Sequence, residues 1–486
     1  MGMTVLSRRR FLVGCTVTVG VALLAACGNG ATPAVAPTAA GATTGAAATT
    51  KPAVAAATTP QAGAATAAPV TAAGTTKGPI TFFARGDDAI FKVFRDLRDA
   101  YQKDNAGVKV QIDEVPGDWY QKFQLQLASG TPPDAVFESA GTTTKSARAG
   151  ALQALDDFMK RDTRFKKEDY WDIAFLPSIW QGKTYHMPYD GGSMALYYNQ
   201  DLFKAAGVKD MDPKTPLTLE ELLDLSKKLT LDQNGKHPGD AGFDPTRIKQ
   251  YGISPSRGTY WIYAFANGGE IIGQDGTVPL DAPETAAGIQ WLADLGSKYQ
   301  VAPSPEFQQS SPLSFNTGNV AIQYDGVWSS VRYRQNKFAW DVAPFGKGKV
   351  KAATGWYSGL SMTTASKAKD TAWDWIFFCC SEAGQKIVSG LGQAVPCVKK
   401  LANTDAFLDP KSPPAHKQVF LDEMTPDILR LPGDKFGSPF GGYWNEFGQV
   451  FSPIYDPVWL GKKTAMDAGK EARPKLEKLL KTGEVS

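Results

Sequence analysis

Strand-like and helix-like segments alternate immediately after Pro79, and this alternation constrains the fold more than any other feature of the sequence. Residues 80–84, 108–112 and 135–137 have the apolar or alternating character of strands. The two segments between them repeat apolar residues at helical spacing, and Gly and Pro residues end the second one. Repeated β-α-β units form parallel sheets that helices cover on both faces. The sequence therefore predicts an α/β fold that binds its ligand at the carboxyl ends of the strands.

Polar and aromatic residues stand at these predicted strand ends and at one helix start. Arg85 and Asp87 follow the first strand, and Glu138 and Ser139 follow the third. Trp119 stands at the start of the second helix, where it could face the ligand or instead pack as a hydrophobic staple. The strand-end rule predicts that all five residues point toward the ligand cleft.

The first residues of the chain have the features of an export signal. Residues 7–12 place three arginines before a Phe and a Leu, and an apolar run too short to span a membrane follows. This arrangement predicts a signal over residues 1–26 that resembles the twin-arginine type, with an ordinary secretory signal as the alternative. The residues before Cys27 resemble a bacterial lipobox. We therefore expect Cys27 to carry a lipid anchor on the extracytoplasmic face of the cell membrane.

The next segment has a composition that does not fold. Residues 28–78 consist mainly of Ala, Thr, Gly and Pro, contain no aromatic residue, and have Lys51 and Lys77 as their charged residues. Such a segment cannot bury enough apolar surface to pack into a core. Residues 27–78 are therefore predicted to be the lipidated Cys and a disordered linker, which lead to a folded body over residues 79–486.

The balance of charges bears on whether the chain binds nucleic acid. The chain has 52 Lys and Arg against 49 Asp and Glu, and the surplus equals the three arginines of the predicted signal. Nucleic-acid binding needs clustered basic residues, so balanced and scattered charges argue against a nucleic-acid partner.

Metal and nucleotide motifs are also missing from the sequence. Its three His and five Cys do not have the spacing of a zinc site, and no Gly-rich nucleotide motif follows a predicted strand. We therefore expect no metal and no cofactor. Cys379, Cys380 and Cys397 are predicted either to form one disulfide or to remain buried thiols.

Five motifs stand in the order found in a known protein family. They are SGTPPDAV at 129–136, GKTYHMP at 182–188 with ALYYNQDLF at 195–203, PLTLEEL at 216–222, FNTGNVAI at 315–322 with GVW at 326–328, and AWDWIFF at 372–378. Over nearly all of the body the sequence resembles the carbohydrate-type extracellular solute-binding proteins of bacterial ABC importers, which are similar to maltose-binding protein. Leu219 replaces the tryptophan that this family has at one helix start, a change that concerns packing rather than the ligand.

The resemblance implies a two-lobe α/β periplasmic-binding-protein fold whose crossing segments let the lobes close on a ligand without a chemical reaction. Lobe 1 is expected over about 79–188 and 354–400, and lobe 2 over about 192–353. Residues 401–486 are expected to pack mainly on lobe 2. The implied function is capture of a sugar or oligosaccharide by a monomer and its delivery to the transmembrane subunits of an ABC permease.

A sugar has an apolar face and a rim of hydroxyls, so aromatic platforms and planar polar groups predict its site. Tyr189 and Asp190 precede two glycines where the chain is expected to cross between the lobes, although Asp190 could instead cap a turn. The resemblance implies further ligand contacts from Arg257, Tyr260, Trp261, Trp328, Trp356, Tyr443 and Trp444. The alternatives are core packing for the first two tryptophans and a surface hydrophobic clamp for the last two residues.

Two other functions remain open. A secreted carbohydrate-active enzyme would use Glu138 and Asp190 as its pair of catalytic carboxylates. A receptor of the same fold could bind a non-sugar solute such as a polyamine. The ordered motifs, and the absence of a catalytic motif, favour the sugar receptor.

Overall fold

A computed structural model of the chain describes residues 78–305, 313–390, 392–409 and 411–485. The predicted export signal, the lipidation site Cys27 and nearly all of the predicted linker lie outside these residues. Across the described ranges, no helix has both the length and the apolar character needed to cross a bilayer.

The first three strands of the structure correspond to the three strands that the sequence predicts. The strands of the described residues are β1 Ile80–Arg85, β2 Val110–Val115, β3 Ala135–Glu138, β4 Ile179–Trp180, β5 Lys183–Thr184, β6 Met187–Asn199, β7 Leu231–Asp232, β8 Ile248–Ser254, β9 Val320–Gly326, β10 Trp340–Ala343 and β11 Gly355–Met362. The second strand ends three residues later than predicted, because it pairs in parallel with β1 from Val110 to Val115.

The helices alternate with these strands and then dominate the carboxyl-terminal part. They are α1 Asp88–Asp104, α2 Trp119–Ala128, α3 Thr143–Arg148, α4 Asp156–Arg161, α5 Asp172–Phe175, α6 Gln200–Ala205, α7 Leu219–Leu229, α8 Trp261–Ala266, α9 Pro283–Ser297, α10 Ser330–Tyr333, α11 Lys369–Cys380, α12 Glu382–Ser389, α13 Lys399–Ala402, α14 Asp405–Leu408, α15 Gln418–Asp422, α16 Trp444–Trp459 and α17 Ala465–Thr482. Local sequence explains the start of α7, where Thr218 and Glu221 form a capping box.

The strands of the main sheet follow the order β2-β1-β3-β11-β6-β9-β8-β7, with β10 also paired to β6. The first strand is parallel to β2 and β3, and β8 is parallel to β9, as β-α-β connections require. The predicted α/β class is thereby confirmed. The antiparallel strands β6 and β11 join the two parallel parts of the sheet.

Two adjacent glycines let β6 and β11 cross closely. Gly191 and Gly192 have φ angles of 140° and 145°, a region that only glycine adopts readily. A Cβ atom at Gly191 would stand 2.2 Å from the Trp356 carbonyl oxygen of β11. The spacing of the two strands therefore depends on the missing side chain.

Separate hydrophobic clusters form on the two sides of these crossing strands. One cluster packs α1 and α11 on β1 and β3 around Phe94 and Trp375. Another packs α8 and α9 against α16 and α17 around Trp261, Tyr455 and Leu476. The lobe boundaries that the resemblance implies stay a prediction.

The three cysteines of the body are free thiols rather than a disulfide. Cys379, Cys380 and Cys397 are all buried and unpaired in this part of the chain. Burial raises the pKa of each thiol well above its ordinary value. The disulfide alternative was therefore wrong, and the three residues pack as small apolar groups.

Candidate functional site

A cleft of about 490 Å³ opens where the carboxyl ends of β1 and β3 meet the crossing strands β6 and β11. This is the position that the strand-end rule predicts for a ligand. Its polar lining includes Arg85, Ser139, Thr142, Asp190, Ser358, Gln393 and Asn445. Its aromatic lining consists of Phe137, Trp328, Trp356 and Trp444.

Arg85 is the fixed cation of the cleft. Its Nε donates to the Phe137 carbonyl at 3.1 Å, and its Nη2 donates to Ser358 Oγ at 3.0 Å. The guanidinium carbon also lies 4.1 Å from the centre of the Phe137 ring. Burial lowers the pKa of Arg85, whereas the carboxylates of Asp190 and Glu138 act in the opposite direction. These contacts hold the guanidinium in one orientation at the end of β1.

Asp190 faces Arg85 from the crossing strand β6. It stands opposite Ser358 of β11, next to a register irregularity between the two strands. Burial raises the pKa of Asp190 above its ordinary value, while the Arg85 guanidinium and the Ser358 hydroxyl lower it. When ionised, this carboxylate can accept hydrogen bonds from ligand hydroxyls. We call Arg85, Asp190 and Ser358 the polar wall.

Three half-buried tryptophans line the same cleft. The rings of Trp356 and Trp444 lie 4.5 Å apart with an interplanar angle of 47°. Trp328 follows β9 and depends on Gly326, where a Cβ atom would stand 2.1 Å from its ring. We call Trp328, Trp356 and Trp444 the aromatic wall. Their ring faces are the platforms on which an apolar ligand face stacks.

The structure brings together only part of the predicted ligand-binding set. Of the residues singled out in the sequence, the cleft is lined by Arg85, Ser139, Asp190, Trp328, Trp356 and Trp444. The cleft-lining residues that sequence reasoning missed include Thr142, Ser358, Gln393 and Asn445. Ser358 stands two residues after Trp356, which the sequence analysis singles out, but Gln393 has no local signal.

Several predicted residues of the first part of the chain lie close to the cleft without lining it. Glu138 is fully buried, and its carboxylate accepts a hydrogen bond from the Thr142 hydroxyl. Tyr189 is buried with its ring 5.1 Å from that of Phe94. Asp87 is exposed and caps α1, and Trp119 lies beside the Arg85 guanidinium at 5.1 Å from its ring centre. Ligand contact by these four residues stays a prediction.

The same is true of four residues from the later part of the chain. Trp261 is buried and donates through Nε1 to Thr354 Oγ1 at 2.8 Å. Tyr260 is buried with its ring stacked 4.0 Å from that of Phe451. Arg257 donates to the Pro303 carbonyl, and Tyr443 packs on the Arg148 guanidinium. None of the four lines the cleft in the described residues.

The segment that follows β3 touches the start of α16 beside the cleft. Arg148 of α3 forms an ion pair with Glu446 of α16, and both side chains are 18% exposed. The Asn445 amide donates to the Gly141 carbonyl at 3.2 Å. We call Gly141, Arg148, Asn445 and Glu446 the rim contact, because it joins the segment after β3 to the start of α16 and because Gly141 and Asn445 line the cleft.

The family model for bacterial extracellular solute-binding proteins matches residues 89–386. The chain belongs to this family. A putative binding protein of Brucella abortus (strain 2308) is 24% identical over 80% of this chain and 90% of its own length. A maltooligosaccharide ABC transporter solute-binding lipoprotein of Streptococcus pneumoniae is 25% identical over 81% of this chain and 88% of its own.

Solved structures of solute-binding proteins share the fold. An ABC substrate-binding protein of Listeria monocytogenes in complex with cycloalternan has a TM-score of 0.71 and 24% identity, covering 83% of this chain and 99% of its own. Maltose-bound MalE3 of T. maritima has a TM-score of 0.65 and 18% identity, covering 83% of this chain and 100% of its own. The predicted family and the two-lobe fold are therefore confirmed.

The described residues of this solute-binding protein contain no group of three or more His, Cys, Asp or Glu side chains that could hold a metal ion. The cleft offers a ligand one fixed cation, one carboxylate, several hydroxyl and amide groups and three tryptophan rings. Such groups bind a ligand by stacking and hydrogen bonding.

Proposed function

We propose that this solute-binding protein captures a sugar or oligosaccharide in the cleft and delivers it to the transmembrane subunits of an ABC permease. The name of the S. pneumoniae lipoprotein and the sugar complexes of the L. monocytogenes and T. maritima proteins support this proposal. Binding and release, rather than a reaction, are then its activity.

One observation carries the proposal: the polar wall and the aromatic wall face the same cleft. A sugar ring is apolar on its CH faces and polar around its edge. Trp356 or Trp444 can stack on a face while Arg85 and Asp190 bond to the edge, because arginine only donates and an ionised carboxylate only accepts. Together they match hydroxyl groups, which do both.

The remaining features describe how such a receptor is held at the membrane. A lipid on Cys27 and a linker over residues 28–78 would hold the body on the extracytoplasmic face while leaving it free to turn.

Lobe 1 would comprise about 79–188 and 354–400, and lobe 2 about 192–353 with 401–486 packed on it. We propose that the receptor acts as a monomer.

Thermal unfolding and calorimetry with a panel of sugars test the capture. A sugar at about 100 times its dissociation constant adds about 2.7 kcal/mol of stability. We expect at least one mono- or oligosaccharide to raise the melting temperature and to be recovered unchanged after incubation. If polyamines or amino acids raise it and no sugar does, the proposed ligand class is wrong. Turnover of the bound sugar would contradict the receptor activity itself.

Labelling with a radioactive fatty acid in the producing cell tests the anchor. We expect the label in the wild-type chain and none in Cys27→Ser, whose thiol is absent. Cys379→Ser is a matched control, because that cysteine is buried in the body. Equal labelling of the wild type and Cys27→Ser would place the anchor elsewhere.

A further inference from the structure

Glu138, the last residue of β3, is a fully buried carboxylate one hydrogen bond away from the cleft. It accepts that hydrogen bond from the hydroxyl of Thr142, which lines the cleft. On its other side Gly359 of β11 stands opposite it in the sheet. Neither wall of the cleft includes this carboxylate. An enclosed carboxylate can still act on a ligand through the residues that lie between the two.

The surroundings of Glu138 contain several groups that favour its ionised form. Burial raises the pKa of Glu138. The hydroxyls of Thr142 and Ser146 and the Arg85 guanidinium act in the opposite direction and lower it. Arg85 also donates through Nη2 to the Glu138 carbonyl at 3.4 Å, which holds the cation beside this residue. Because an ionised carboxylate only accepts hydrogen bonds, Glu138 in this form receives the Thr142 proton and has none to give back.

The Thr142 hydroxyl connects Glu138 to a second hydroxyl of the cleft. Its Oγ1 accepts from the Ser139 backbone N–H at 3.2 Å and lies 2.9 Å from Ser139 Oγ. A hydroxyl has one proton, and a charged acceptor forms the stronger hydrogen bond, so the Thr142 proton points to Glu138. Between the two hydroxyls, Ser139 must then be the donor. We call Glu138, Thr142 and Ser139 the hydroxyl relay.

The relay decides what Ser139 offers to a ligand. Ser139 lines the cleft, but its one proton is used on Thr142, so its oxygen can only accept. Ser358 of the polar wall is oriented in a similar way. It accepts from Arg85 at 3.0 Å, and its hydroxyl lowers the pKa of Asp190, as a donor to that carboxylate does. Each of these serines therefore has a carboxylate that directs its proton.

We propose that Glu138 is a positioning residue that acts through Thr142 to fix the Ser139 hydroxyl as an acceptor, and that Ser139 thereby selects a ligand group that donates. This inference rests on the proposed function. A sugar hydroxyl meets the requirement, because it has a proton to donate. An O-methyl group or a fluorine atom at the same position only accepts and faces the lone pairs of Ser139. The receptor therefore rejects sugars that are methylated or fluorinated at that position.

Neutron diffraction on ligand-free crystals exchanged into heavy water tests the orientation of the relay without any sugar. The crystals are kept at about pH 8, well above the ordinary pKa of a glutamate. We expect one deuterium between Thr142 and Glu138, covalently bound to Thr142, and one on Ser139 Oγ that points to Thr142. A deuterium on the Glu138 carboxylate, or a Ser139 deuterium that points into the cleft, would overturn the proposal.

Calorimetry with modified sugars tests the selection. The probes are glucose, mannose, galactose, maltose and maltotriose, each with its monodeoxy and monodeoxyfluoro analogues. At the hydroxyl that meets Ser139, we expect the fluoro analogue to bind the wild type about threefold more weakly than the deoxy analogue, the equivalent of about half of one ordinary hydrogen bond. Ser139→Ala identifies that hydroxyl, because there alone it should erase the difference between the two analogues.

Four variants separate the relay from packing at the same place. Thr142→Val keeps the shape but frees the Ser139 proton, so the fluoro analogue should bind at least as well as the deoxy analogue. Glu138→Leu removes the carboxylate, leaves the Thr142 hydroxyl in place and should also abolish the wild-type order. Thr142→Ser keeps a hydroxyl and should retain that order. Thr144→Val is the matched control, because it removes a buried hydroxyl of the same helix that is not part of the relay.

The outcomes distinguish failure of the relay from failure of the receptor. Sugars that bind with no difference between fluoro and deoxy analogues at any position would overturn the relay and leave the receptor intact. Retention of the wild-type order by both Thr142→Val and Glu138→Leu would do the same. If no sugar binds to the wild type, the proposed function fails and the selection fails with it, whatever the deuterium positions are.

Discussion

The two walls of the cleft differ in chemistry and in how the fold holds them. Each member of the polar wall is a strand residue at the junction of β1, β6 and β11, and Arg85 has partners at 3.0 and 3.1 Å. The aromatic wall comes from β11, from the turn after β9 and from the start of α16. Two of its members, Trp356 and Trp444, touch each other through a ring contact rather than through a hydrogen bond.

This difference separates two tasks of a binding site. Hydrogen-bonding side chains that strands hold rigidly discriminate between ligands, because a ligand with a misplaced hydroxyl leaves a buried polar group without a partner. Ring faces contribute affinity to any ligand with an apolar face. We therefore expect changes in the polar wall to alter selectivity and affinity together, and changes in the aromatic wall to alter affinity for all sugars alike.

The largest effect is expected from Asp190→Ala in the polar wall. The change removes the carboxylate acceptor and leaves the Arg85 guanidinium without its facing charge. We expect the affinity for the tightest sugar of the panel to fall about 100-fold, because a hydrogen bond to a charged group contributes about 1.5–3 kcal/mol. Calorimetry measures this change, and loss of discrimination between sugar epimers should accompany it.

Asp118→Ala is the matched control for that variant. Asp118 is an exposed carboxylate that caps α2 and does not line the cleft. Its loss should lower the unfolding free energy by about 1 kcal/mol and leave affinity unchanged. Similar losses of affinity in the two variants would show that the polar wall has no special role.

A smaller effect is expected from Trp356→Ala in the aromatic wall. Removing this ring takes away one stacking platform and the contact with Trp444, so we expect affinity to fall about tenfold for every sugar that binds. Trp356→Tyr keeps an aromatic face and should restore most of the loss. A change in sugar preference with Trp356→Ala would contradict the division of tasks between the walls.

The rim contact tests whether the walls act as one unit. Glu446→Gln removes the partly buried ion pair with Arg148, which contributes about 1 kcal/mol at such a position. We expect about a fivefold loss of affinity for all sugars, with a larger radius of gyration by small-angle scattering in the absence of sugar. Arg161→Ala is the control, because it breaks an exposed ion pair with Asp370 away from the cleft.

Local sequence patterns point to two of the three polar-wall residues, Arg85 and Asp190, whereas the aromatic wall was predicted through the family resemblance. Local periodicity places β1 and β3, so Arg85 and Ser139 can be located at strand ends before any tertiary contact is known. Adjacent glycines likewise mark Asp190 at the crossing of the strands. For Glu138 the rule gives the strand end but not the burial of the side chain, which is enclosed where β3 pairs with β11, a contact between residues far apart in sequence.

Residues from the carboxyl-terminal part were harder to assign. All six residues of α8 are buried, so helical periodicity cannot distinguish a cleft-facing Trp261 from a packed one. Asn445 reaches the cleft edge only because α16 starts beside Gly141, about 300 residues earlier in the chain. No local pattern encodes such a contact, and this is why Asn445 was missed although its neighbour Trp444 was predicted.

The smallest effect is expected from pH, and it acts on only one of the two walls. Because burial raises the pKa of Asp190, its carboxylate gains a proton at a higher pH than an ordinary aspartate, whose pKa is about 3.9. Protonation removes an acceptor, so affinity falls as pH is lowered through this pKa. At the midpoint we expect about a twofold loss of affinity, since half of the molecules then lack the ionised form of Asp190.

Calorimetry across pH should give the same midpoint for the wild type and Trp356→Ala, whereas Asp190→Asn should show a flat profile. A midpoint that moves with Trp356 would mean that the aromatic wall sets the charge state of the polar wall, and the two walls would then not be independent.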